Sequence, residues 1–97
     1  MDIPDQHWFE SRKQDTFHIH FDEQNPIPCQ IDEITESKAP STKEGKQQFS
    51  VVFAKPNPEV YEQGMYQVAH PDLGTMTLFL VPVFGDDQGV QYEAIFT

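Results

Sequence analysis

A chain of 97 residues suits one domain and leaves no room for two. Sixteen Asp and Glu against six Lys and Arg give a formal charge of −10, which repels nucleic-acid phosphates and anionic membranes alike. Apolar residues make up only 37% of the sequence, but eight Phe, three Tyr and one Trp supply large rings, so a small aromatic core is expected.

The first segment, Ile3 to Lys13, mixes Pro4, Trp8 and Phe9 with charges. Asp2 is placed to cap a short helix with Pro4 in its first turn, so that Ile3, Trp8 and Phe9 pack on a sheet as a lid. Asp15 to Asp22 alternates cleanly: Phe17, Ile19 and Phe21 share one face of a strand, and Thr16, His18, His20 and Asp22 the other. Glu23 to Pro26 reads as a turn, after which Ile27, Cys29 and Ile31 alternate as a second strand. A bulge near Asp32 or Glu33 is needed to bring Ile31 and Ile34 to the same face. Glu36 to Lys46 has no large apolar residue and reads as a loop.

Phe49 to Phe53 forms the third strand, closed by Pro56 and Pro58. Met65 to His70 is the fourth, followed by a Pro71 to Gly74 turn in which His70 is expected to anchor the backbone. Thr75 to Phe84 is the fifth and most apolar. Met76, Leu78 and Leu80 fall on one face, with Phe79, Val81 and Val83 on the other. A strand apolar on both faces is central, or is covered by the N-terminal segment or a partner. Pro82 places its last part at an edge or outside the ladder. Gly85 to Gly89 is a hairpin loop, and Val90 to Thr97 a terminal strand that could remain a pairing edge. Tyr66 and Tyr92 are expected as core rings with one wet hydroxyl.

These elements predict an all-β fold with minor α content. The expected form is a six-stranded, mostly antiparallel small sandwich or partly open barrel with a short N-terminal helix, occupying residues 1–97 as one domain. Residues 1–20 show no basic start followed by an apolar run, so no signal peptide is visible, and no stretch is long enough to span a bilayer. The expected setting is a cytoplasm, or a particle assembled there.

The sharpest chemical idea is a metal site. His18, His20 and Asp22 lie at period two on one strand face, with a fourth ligand to be drawn from His7, His70 or Glu33. The ordinary reading of two histidines on a wet strand face is exposure alone. Cys29, the single cysteine, excludes an internal disulfide and sits in an apolar run beside Asp32 and Glu33, where a thiol is a buried hydrophobe rather than a nucleophile. No nucleophile elbow, Walker loop, dinucleotide fingerprint or calcium loop is present. Nothing calls for a cofactor, and no enzyme activity is expected.

The C-terminal half carries Phe49 to Phe53, Gln63 to Tyr66, His70 to Gly74, Leu78 to Val83 and Tyr92 to Phe96 in order. This series resembles a family of small uncharacterised bacterial domains ending in a Tyr-Glu-Ala-x-Phe-like strand. Its members are often encoded beside proteins with phage-tail-collar or tail-fibre modules. The resemblance implies a domain of unknown function linked to a phage-derived or appendage system, and it supplies no catalytic residues. The leading expectation is therefore a non-enzymatic structural or protein-interaction module that binds a protein partner or itself, with Trp8, Phe9, Phe79 and Val81 as contacts. The alternative is a small-ligand or metal-binding barrel with His18, His20 and Tyr66 near its mouth.

Overall fold

The computed structural model of the protein describes residues 4–22, 25–36 and 48–96. Among these residues the chain forms α1 (Gln6–Glu10), β1 (Thr16–His20), β2 (Ile27–Glu36), β3 (Phe49–Lys55), β4 (Gly64–His70), β5 (Gly74–Asp86) and β6 (Gly89–Phe96). The expected turn at Glu23 and Gln24 and most of the Glu36 to Lys46 loop lie outside the described residues, as do Asp2 and Ile3.

The strands close into a barrel in the order β1-β2-β3-β6-β5-β4, with every pairing antiparallel. The expected partly open form is thus a closed one. β6 is paired to β3 from Val90 to Phe96 and to β5 from Gly89 to Glu93, so the terminal strand lies between two neighbours and is not the free edge that its position at the chain end suggested. Closure is made by the β1–β4 seam, which has only three residue pairs: His18 with Ala69, Ile19 with Val68 and His20 with Gln67. The bulge falls where the alternation slips, between Ile31 and Glu33. A second bulge lies between Pro82 and Phe84. Beyond Leu80, β5 has no partner from β4, and its last residues form an arm paired with β6 alone.

The period-two rule explains the interior. Phe17, Ile19, Cys29, Phe53, Val68, Leu80 and Tyr92 point inward and are essentially inaccessible. Their side chains fill the axis, which leaves the interior packed. Each such ring or branched chain contributes roughly 1.5–3 kcal/mol relative to an exposed one.

Two segments outside the barrel seal its ends. At one end, Asp5 caps α1 by accepting the Trp8 N–H at 2.9 Å, and Pro4 precedes the cap instead of sitting in the first turn. α1 then inserts Phe9 between Phe96 (ring centroids 5.1 Å apart), Phe49 (6.0 Å) and Phe17 (6.4 Å). At the other end, the link from β3 to β4, residues 56–63, crosses the barrel mouth because β4 lies between β1 and β5. Tyr61 stacks on Phe21 at 5.2 Å, and its N–H donates to the Tyr92 hydroxyl at 2.8 Å. That hydroxyl is dry and bonded, not wet as expected; Tyr92 is wholly buried. The N-terminal segment therefore plugs an end and does not cover the outer face of β5. No helix among the described residues is long and apolar enough to cross a membrane.

Candidate functional site

The histidines of the expected metal site lie on the outer wall. His18 pairs across to Pro28 and Ala69, and His20 to Gln67, with His18 exposed and His20 half-buried. Asp22 accepts the Asn25 N–H at 2.9 Å and lies 3.4 Å from the Tyr61 hydroxyl. Among the described residues no group of three His, Cys, Asp or Glu side chains is arranged to hold an ion. The strand spacing is as read, but no further ligand converges on it.

The one histidine in a built environment is His70, which is buried. Its Nε2 donates to Asp15 Oδ2 at 2.8 Å, and its Nδ1 accepts the Asp72 N–H at 3.1 Å. That backbone donor requires an unprotonated Nδ1, which fixes the proton on Nε2. The ring also packs on Phe17 at 4.8 Å and Trp8 at 5.2 Å. An Asp–His pair of this kind resembles two-thirds of a hydrolytic triad, but here both nitrogens are occupied and the ring is covered. Its work is to hold the β4–β5 turn to β1, as the sequence suggested for the turn.

Cys29 is buried, and desolvation pushes its thiol to about 12, only partly offset by the nearby Lys55 ammonium. The cation comes from the neighbouring strand, which local sequence reading around Asp32 and Glu33 missed. Lys55 is itself buried at the crossover end of the barrel. Its Nζ donates to the backbone and side-chain oxygens of Asn57 and lies 5.4 Å from the Tyr61 ring centre. Burial pulls its pKa below the ordinary lysine value, with Cys29 and Glu59 acting in the opposite sense. Tyr61 is shifted up by desolvation, with Glu59 and Asp22 adding to the shift. Cys29 and Lys55 pack the end of the barrel, and the Tyr61 hydroxyl lies at its surface between Asp22 and Glu59.

The expected contact residues divide. Phe9 is fully buried in the plug and is not a surface contact as expected, because the helix turns its ring into the barrel end. Trp8 is half-buried, and the Arg12 guanidinium lies 4.3 Å over its ring while reaching Asp72 at 3.5 Å. Phe79 is 48% exposed on the outer wall, and Val81 is half-buried beside it. The register adds two residues that sequence reading did not single out: Met65, directly across from Phe79, and Ile95 on β6, exposed at 63% and 64%. The signal was present, since each alternates with an inward neighbour. An open groove of about 480 Å³ also runs outside the barrel under the arm, lined by Gln30, Ala54, Phe84, Asp86 and Gln91 among others.

No curated protein and no solved structure is matched by this chain. Residues 4–96 match the model of a family described as a domain of unknown function, so the chain belongs to the DUF6916 family.

Proposed function

We propose that this domain is a non-enzymatic structural or protein-interaction module working in a phage-derived or tail-like assembly. The observation that carries the reading is the group of large apolar side chains turned outward on β4, β5 and β6: Met65, Phe79, Val81 and Ile95. A folded monomer gains nothing from exposing adjacent Met, Phe and Ile side chains, and such patches characteristically serve contact. Supporting it, the titratable groups with built surroundings, His70, Cys29 and Lys55, are consumed by packing. The assembly setting is supported by the resemblance of the C-terminal half to bacterial domains encoded beside tail-collar and tail-fibre proteins.

The test places a photo-crosslinking residue at Phe79 and, as control, at Asp87 on the arm tip, in cells of the source organism. A discrete adduct formed from position 79 and not from 87 is expected. A strict monomer by light scattering, with no adduct specific to position 79, would refute the proposal.

A further inference from the structure

We infer that the outer face of β4–β5–β6 docks a protein segment in which an apolar side chain is flanked by Lys or Arg. The inference rests on the interaction-module reading and names its partner's chemistry.

The argument starts from register. Met65 stands across from Phe79, and carrying the β5–β6 register back from Val81 and Glu93 sets Ile95 across from Phe79 on its other side. The next outward row reads Val81, Glu93, Val52, Glu33 over four neighbouring strands. An exposed apolar floor of Met65, Phe79 and Ile95, with Val81 half-buried and Val52 buried beside it, is therefore bordered by two carboxylates. They lie on strands two apart, so their backbones are about 10 Å from each other.

Neither carboxylate takes part in the ion pair of Arg12 with Asp72 or in the hydrogen bond of His70 to Asp15, the two such contacts found among the described residues. The described cations are committed or distant in the fold: Arg12 is held on Trp8, Lys55 is buried, and Lys13 lies between α1 and β1. A neutral apolar partner would have to desolvate Glu33 and Glu93 without replacing their hydration. A partner with basic side chains beside its apolar anchor replaces it. In an extended segment, basic residues two positions before or after the apolar anchor share its face and reach the acids beside the floor.

The contact is made by side chains, not by strand addition. Glu93, in the middle of the acidic row, is already paired on both sides, to Val81 and to Val52, so no strand can add beside it, and the outer side of the β5 arm contains Pro82 and a bulge, both of which blunt an edge.

The test uses fluorescence anisotropy with a short labelled peptide in which leucine and lysine take turns at every second position with serine between them, so that both share one face, and a twin with serine in place of lysine, on the full chain. The lysine peptide is expected to bind tighter than the twin. The double variant Glu33→Gln/Glu93→Gln is expected to weaken it roughly fivefold, as two rim ion pairs allow. A charge-matched control, Glu10→Gln/Asp87→Asn, is expected to change it much less. Equal loss in both double variants means diffuse attraction and overturns the inference. Equal binding of both peptides, lost only in Phe79→Ser, also overturns it while leaving an interaction face intact. Phe79-dependent dimerisation makes a second copy the occupant and overturns it likewise. Peptide binding indifferent to Phe79→Ser, in a strict monomer, removes the interaction reading as well. Circular dichroism of each variant checks that the barrel is folded.

Discussion

Replacing Tyr92 by Phe removes one oxygen from the core and leaves its packing in place. The ring keeps its contact with Phe21, whose centroid is 4.6 Å away, and the change creates almost no cavity. What is lost is the acceptor for the Tyr61 N–H, which lies 2.8 Å from the hydroxyl under the crossing link. A donor left without a partner in a part-buried site costs about 1–3 kcal/mol. A domain of this size has about 5–15 kcal/mol in total, so the loss is a sizeable fraction. Urea unfolding should show a lower midpoint with unchanged slope, since no additional surface is exposed. In a domain of this length the melting temperature should fall by roughly 4–8 °C for each kcal/mol. Amide exchange adds a local check: the Tyr61 N–H should exchange much faster, while amides of β3 should quicken only by the global change. If the variant is as stable as the parent to within about 0.3 kcal/mol and the Tyr61 amide stays protected, the link is held by something other than this bond.

Other substitutions probe other joints. A Cβ on Gly89 would lie 2.2 Å from the Lys55 carbonyl oxygen, so Gly89→Ala should cost about 1–3 kcal/mol, whereas Gly85→Ala, with Val90 at 3.5 Å, should be near neutral by thermal melt. Cys29 holds its proton in the folded chain up to about 12, against an ordinary 9.0, so its contribution to stability is complete below pH 9 and is lost as pH rises through that window. That loss amounts to at most about 4 kcal/mol, and Cys29→Ala should flatten this part of an alkaline stability profile. The same thiol should ignore aromatic disulfide reagents at pH 8 until the protein unfolds; prompt labelling of the native form would contradict its burial. Asp15→Ala leaves the buried His70 Nε2–H without an acceptor and should cost about 1–3 kcal/mol with a red shift of Trp8 emission, while Asp15→Asn keeps an acceptor and should behave close to the parent.

Much of the wall was legible because each strand buries one face. Phe17, Ile19 and Phe21 announced β1, and the slip between Ile31 and Ile34 announced the bulge that the register contains. The double-sided apolarity of β5 was read as a central position or one covered by the N-terminal segment or a partner; the N-terminal segment does not cover it, and Phe79 on its outer face is 48% exposed. The plug helix goes to the barrel end because Phe9 fits among Phe49 and Phe96, a match that only the assembled ring creates. Closure itself was illegible, since the β1–β4 seam joins residues far apart in sequence and uses no distinctive residue type. Lys55 is the instructive miss. Continuing the alternation of Phe49, Val51 and Phe53 points it inward, yet a lysine is discounted as solvated, and the acceptors on Asn57 that make burial tolerable lie past a proline. The exposed apolar face was legible in part: Phe79 and Val81 were named from β5 alone, and Met65 and Ile95 are added by the register and by their exposure.

The circumference of the ring is not uniform. Seven residue pairs join β3 to β6 and seven join β4 to β5, but three fasten β1 to β4. Heat or strain should part this clasp first, turning a belt into a ribbon with two raw margins that had no outlet before. At high concentration those margins can rejoin across two molecules instead of within one, so exchanged dimers are the expected failure of this fold. Early loss of amide protection at Ile19 and Val68, ahead of Val51 and Phe53, would register the parting, and simultaneous loss at all four sites would exclude it.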